Sequence, residues 1–163
     1  GAIINWLSVE DVRKSVAIVR DAAKAAGRDP ESIEITARLM VSLDPVTPES
    51  DTFNRRHINA YLNVPVYRAF HEWLGRTEAL TPMWDAWEAG DRKGAVAAVP
   101  ENVIDDLIIR GAPEERREHV RRYMEAGIDT AFFSLYTFDP DPARRREIIL
   151  QGVRDMSPAA GGD

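Results

Sequence analysis

A chain of 163 residues, 44% of them apolar, is of ordinary single-domain size and can bury a core. Its net charge of −6 is spread over interspersed acids and bases, so it lacks the basic face that nucleic acid would require. No apolar run approaches the roughly 18 residues of a bilayer span, no charged lead precedes an apolar signal core, and without cysteine there is neither a disulfide framework nor thiolate chemistry. The expectation is a soluble cytoplasmic protein with no nucleic-acid or membrane partner.

The chain opens on Gly1-Ala2-Ile3-Ile4-Asn5-Trp6, already inside an apolar run. Termini not anchored in structure fray, so a start in mid-strand reads as a cut end. Residues 2–6 are predicted to be a short buried strand. Ser8 stands three residues before Asp11, a variant of the capping box, and predicts a helix whose apolar positions are Val9, Val12, Val16, Val19 and Ala23. Gly27 stops it, and Arg28-Asp29-Pro30 turns the chain. From Ile33 to Leu43 the period becomes two. Ile33, Ile35, Ala37, Leu39, Val41 and Leu43 share one face, and Glu34, Thr36, Arg38, Met40 and Ser42 the other.

After Asp44-Pro45 and Thr47-Pro48, a helical insertion in several pieces is predicted over about residues 49–110. Phe53, His57, Ala60 and Tyr61 form one stripe, Val66, Phe70, Trp73 and Leu74 a second, and Leu80, Met83, Trp84 and Trp87 a third. A small-residue segment runs to Val99, and Pro100 starts a helix carrying Val103, Ile104, Leu107 and Ile108. Gly111-Ala112-Pro113-Glu114-Glu115 is a further helix start, with proline and acids where the macrodipole favours them. That helix turns Val120, Tyr123 and Met124 inward and ends at Gly127. Thr130 to Phe138 reads as a strand, and Asp139-Pro140-Asp141-Pro142 leads into a last helix bearing Ile148, Ile149 and Val153. The small-residue stretch 158–163 reads as a flexible tail.

Strands alternating with helices predict an α/β fold with a parallel sheet and right-handed crossovers. Three parallel strands leave two open edges and an uncovered face, so further strands are expected from elsewhere: a missing N-terminal segment or another copy of the chain.

Several segments carry a resemblance. Ala2-Ile3-Ile4-Asn5-Trp6-Leu7-Ser8 resembles the Gly-x-x-x-Asn-Trp segment at the sixth strand of luciferase-like monooxygenase-type proteins. Ala26-Gly27-Arg28-Asp29-Pro30 with the following Ile-Glu-Ile is similar to their turn into the seventh strand. Tyr61-Leu62, Val64-Pro65-Val66-Tyr67, Trp87 and Gly90-Asp91-Arg92 resemble the helical insertion of the deazaflavin-using branch. Gly111-Ala112-Pro113-Glu114-Glu115 and Ala126-Gly127-Ile128-Asp129-Thr130 resemble the approach to the eighth strand.

The resemblance implies that residues 1–157 are the C-terminal portion of a (β/α)8 TIM barrel, strands six to eight, with the insertion after the second of these. It implies an oxidoreductase that passes hydride between the deazaflavin coenzyme F420 and an organic small molecule, inactive as this stretch alone. Flavin mononucleotide (FMN) is the alternative cofactor, in a luciferase-like monooxygenase. A non-catalytic, self-associating subunit is the alternative of another class.

Barrel active sites lie at the C-terminal strand ends, here Asn5-Trp6, Ser42-Leu43-Asp44 and Leu135-Tyr136-Thr137. Asn5 and Trp6 are candidates to hold the cofactor ring, Trp6 being otherwise plain core. Arg38, on the polar face of its strand, needs a carboxylate or a cofactor phosphate. Tyr67, His71 and Tyr136 are candidate substrate contacts; a half-buried helix histidine is the plainer reading of His71. His57, His71 and His119 show no metal-ligand spacing, so no metal is expected. The arginine runs 116–117, 121–122 and 144–146 read as solvated faces.

Overall fold

The computed structural model describes residues 1–157; the tail 158–163 lies outside them. The chain divides into two compact units, one built from residues 1–45 and 106 onward, the other from Val46–Asp105.

The first unit is a parallel sheet with helices. Strand β1 (Ala2–Asn5) leads to helix α1 (Val9–Ala25), and a single 3-10 turn (Pro30–Ser32) leads to β2 (Ile35–Ser42). The expected strand therefore starts two residues late, because Asp29 caps the turn by accepting from Glu31 N. The Ser8 box forms as expected: Ser8 Oγ accepts from Asp11 N at 3.2 Å and Asp11 Oδ2 accepts from Ser8 N at 2.9 Å. Gly27 takes φ 69 just beyond α1, a left-handed turn that favours glycine.

The chain returns to the sheet as β3 (Ile108–Ile109), then α7 (Pro113–Glu125), β4 (Thr130–Tyr136) and α8 (Pro142–Asp155). Ile108 is thus a strand residue, and the helix before it stops at Leu107. β2 is the centre of the sheet: β4 pairs with it over residues 36–42, β1 over 35–38 and β3 over 40–41, all parallel. Since β4 occupies one edge, β1 and β3 share the other end to end. Among the described residues no strand pairs with the outer edge of β1 or of β4.

Period two decides which side is which. Ile35, Ala37, Leu39 and Val41 are all buried, the larger three each contributing about 1.5–3 kcal/mol at most. On the opposite face Ile3 (78% exposed) and Phe132 (58%) stand open, whereas Met40 and Ser42 are buried. Tyr123 ties α7 into this unit, its hydroxyl donating to Leu7 O at 2.7 Å and to Asp106 O at 3.1 Å. Met124 does not face inward as expected but is exposed, as is Val153 on α8, where Gly152 and Met156 pack.

The second unit contains α2 (Pro48–Leu62), α3 (Pro65–Trp73), α4 (Thr77–Glu88), α5 (Arg92–Ala97) and most of α6 (Glu101–Leu107). The small-residue segment is therefore α5, capped by Asp91, which accepts from Gly94 N. On α2 the buried positions are Ser50, Asn54, Ile58, Asn59 and Leu62 rather than the expected stripe of Phe53, His57, Ala60 and Tyr61. On α3, Val66 and Trp73 are exposed and the inward residue is His71. The third stripe stands: Leu80, Met83 and Trp84 are buried, with Trp84 Nε1 donating to Leu62 O at 2.9 Å. No described helix is long and apolar enough to cross a membrane.

Candidate functional site at the C-terminal strand ends

Parallel register sorts the polar residues of the sheet. Asn5 on β1, Arg38 on β2 and Phe132 on β4 form one row across the face that carries Ile3. Two residues further along β2 and β4 come Met40 and Ser134, and beyond these Ser42 and Tyr136. Three of the expected residues, Asn5, Arg38 and Tyr136, therefore share one face. Tyr67 and His71 belong to the helical unit.

Arg38 reaches along this face to Ser134, its Nη2 donating to Oγ at 3.2 Å. Ser134 lies two residues beyond the partner of Arg38 in register, which places both side chains on the same side of the sheet. Among the described residues Arg38 forms no ion pair, and a half-buried cation with five donors is held by one neutral hydroxyl. The strand orientation is as expected, with Arg38 opposite the buried Ile35, Ala37, Leu39 and Val41.

At the strand ends the site tightens. Asp44 is 6% exposed, and its carboxylate accepts from Thr137 Oγ1 at 2.5 Å and from Phe138 N at 3.1 Å. These bonds lock the segment leaving β2 to the segment leaving β4. Thr137 Oγ1 in turn accepts from Asp139 N at 3.2 Å. The Tyr136 phenol is held well above its ordinary pKa, first by burial and then by the Asp44 charge. A hydrogen bond to Ser42 and the charge of Arg110 act the other way. Tyr136 is accordingly a neutral hydroxyl, a donor and acceptor rather than a phenolate.

Trp6 follows β1 with φ 55, the only described residue other than glycine at positive φ. A bulky side chain there costs roughly 1–3 kcal/mol, a strain that recurs where backbone is held for a site. Its ring is 2% exposed, so in this chain it is core. His71 is fully buried rather than half-buried, and Tyr67 packs edge-on against Tyr61 with centroids 5.8 Å apart.

Arg110 and Ser134 escaped the sequence reading, and Ser42 and Asp44 entered it only as a strand end, without a role. The position of Asp44 at a strand end was the available signal, and period two in β4 placed Ser134 beside Arg38. Arg116 is a correction. It is 5% exposed, not solvated; its Nη2 lies 3.6 Å from Asp155 Oδ2 and its Nη1 3.5 Å from Ser42 O.

The luciferase-like monooxygenase family model matches residues 1–130. The chain belongs to that family. No curated protein matches it. Among solved structures, it is similar to the coenzyme F420-dependent tetrahydromethanopterin reductase from Methanopyrus kandleri. That match has 22% identity and a TM-score of 0.65, over 92% of this chain and 42% of that one. It is also similar to an F420-dependent secondary alcohol dehydrogenase determined with an F420–acetone adduct, at 16% identity and TM-score 0.55, over 95% and 42%. The α/β fold of this luciferase-like chain is therefore that of the family, and the chain spans well under half the length of either neighbour.

Proposed function

We propose that the chain is the part of a luciferase-like (β/α)8 barrel that supplies strands six to eight, and that the whole barrel is an oxidoreductase using the deazaflavin coenzyme F420. The observation that carries this is the sheet face itself. Asn5, Arg38, Ser134 and Tyr136 stand on one side of a parallel sheet; Asn5 and Tyr136 close β1 and β4, at the C-terminal ends where such folds place their chemistry, and Arg38 and Ser134 lie in mid-strand. The unpaired edges of β1 and β4, with Ile3 and Phe132 exposed between them, fit further strands of a barrel wall. The two F420-dependent neighbours support the choice of cofactor.

The residues present fit such a group. Arg38 has unpartnered donors for an anionic moiety, Asn5 offers an amide donor and acceptor, and Tyr136 is a neutral hydroxyl. Bound there, the deazaflavin would supply hydride transfer to or from an organic substrate. Asn5 and Arg38 would orient it. Tyr136 would hold a proton at its Oη, while Asp44 keeps the two strand-end segments in place.

Spectroscopic titration tests this reading. The chain joined to the remaining barrel strands is expected to bind F420 saturably, and Arg38→Ala to weaken that binding at least about tenfold. Saturable binding of FMN in its place would move the protein to flavin monooxygenase chemistry. Residues 1–163 alone are expected to show no turnover with reduced F420, since enzymic rates of roughly 1 per second or more need a positioned cofactor. A second reading rests on the exposed Ile3 and Phe132: a cofactor-blind dimer in sedimentation would make this a self-associating, non-catalytic subunit.

A further inference from the structure

A groove in the helical unit belongs to none of the residues above. One wall is a single face of α2, with Thr52, Arg55, Arg56, Asn59 and Ala60 at successive helical turns. The other wall is α5, contributing Arg92, Lys93, Val96 and Ala97, and Trp87 of α4 completes the lining. The cavity is about 780 Å³, within the range of small-molecule sites.

Its chemistry is one-sided. Four cations, Arg55, Arg56, Arg92 and Lys93, line the groove, and no carboxylate does. Among the described residues Arg55, Arg56 and Lys93 make no ion pair, although the chain as a whole carries −6. Like charges gathered around a concave surface raise its potential and favour an anion there. One cation is held in place: the Arg92 guanidinium stacks on the Trp87 ring, 3.6 Å from its centroid, and Nη1 donates to Trp87 O at 2.6 Å. A second, independent observation concerns Asn59. It lines the groove at only 2% exposure, and its Nδ2 is buried without a hydrogen-bond acceptor. Buried amide donors are ordinarily paired, so an acceptor is missing here.

We propose that this groove between α2 and α5 is a binding site for a phosphate-bearing small molecule. Three guanidinium forks offer paired N–H donors that match the several oxygens of a phosphate, Lys93 adds a point charge, and Asn59 supplies a neutral donor. Ala60, Val96 and Ala97 leave room for the rest of the ligand. Its lining shares no residue with the strand-end face, and the proposal does not depend on the cofactor assigned there.

Calorimetric titration of the chain with pyrophosphate at low ionic strength tests the proposal, with citrate as a carboxylate of comparable charge. Saturable binding is expected for pyrophosphate, at least about tenfold tighter than for citrate. Arg55→Gln with Arg56→Gln, or Lys93→Gln alone if that pair lowers the melting temperature, should weaken it about tenfold, while Arg121→Gln with Arg122→Gln on α7 should not. Asn59→Ala should weaken it several-fold and leave the melting temperature without pyrophosphate unchanged or higher, because the donor it removes is unsatisfied. Absence of saturable binding, equal affinity for citrate, or equal loss in the α7 pair would each overturn the proposal.

Discussion

Replacing Asp44 by alanine removes the clamp between the strand ends. Two hydrogen bonds to a charged acceptor are lost, from Thr137 Oγ1 and Phe138 N, in a place where Asp44 and Thr137 are only 6% and 8% exposed. Each such bond contributes roughly 1.5–3 kcal/mol, and the donors left behind are desolvated. The two are not additive, since they share one carboxylate, and some water will enter; a loss of about 3 kcal/mol is expected. With a urea slope of about 2 kcal/mol per molar, the unfolding midpoint should fall by about 1.5 M. Asp44→Asn keeps the shape and one acceptor and should lose about half as much. The same substitution removes the charge that helps hold the Tyr136 phenol protonated, so Tyr136 should ionise at lower pH in Asp44→Ala, read by its absorbance near 295 nm. A midpoint shift below about 0.4 M together with an unmoved Tyr136 titration would refute the clamp.

Tyr136 also makes a pH prediction. Its folded-state pKa is raised, so the stability it contributes is complete below the unfolded value near 10. That stability is lost as pH rises through the folded value; urea midpoints should decline above about pH 10, and less so in Tyr136→Phe. Asp155→Ala should cost about 3 kcal/mol, because it strands the Arg116 guanidinium, 6% exposed in its side chain, and adding Arg116→Met should recover much of the loss. Arg38→Ala should lower the unfolding free energy little, by about 0.5 kcal/mol, since one bond to a half-buried hydroxyl is all it loses within the chain; a loss above about 2 kcal/mol would show a structural role instead. Gly152→Ala should cost about 1–2 kcal/mol, as the added Cβ would meet the Leu43 methyls at 2.6–2.7 Å, and Leu43→Ala in the same chain should reduce that cost.

The elements that the sequence determined alone are those governed by neighbours along the chain. Ser8 and Asp11 are three residues apart, and their reciprocal bonds need nothing beyond one helical turn. Period two in β2 separated Ile35, Ala37, Leu39 and Val41 from Arg38 because successive side chains of a strand must point oppositely. The alternation of strands with helices in an α/β fold and the motifs of the luciferase-like family were also legible along the chain. Arg38 on the polar face of its strand was legible too, but that Asn5 and Tyr136 share this face came from the register.

What only the tertiary structure decided are choices among locally equivalent options. An amphipathic helix such as α2 offers two adjacent faces, and packing selected Asn54, Ile58 and Leu62 over Phe53, His57 and Tyr61. Two residues, Ile108 and Ile109, carry too little periodicity to declare a strand; they become one because the edge of β2 beyond β1 is free to accept them. Arg116 looks like any surface arginine until Asp155, far along the chain, is brought within 3.6 Å of it. The Asp44 bonds to Thr137 and Phe138 span more than ninety positions, and the cationic groove joins α2 to α5. Hydrogen bonds and ion pairs act over a few ångströms of space, and residues so far apart in the chain come within that range only when the parallel register and the helix packing bring them together.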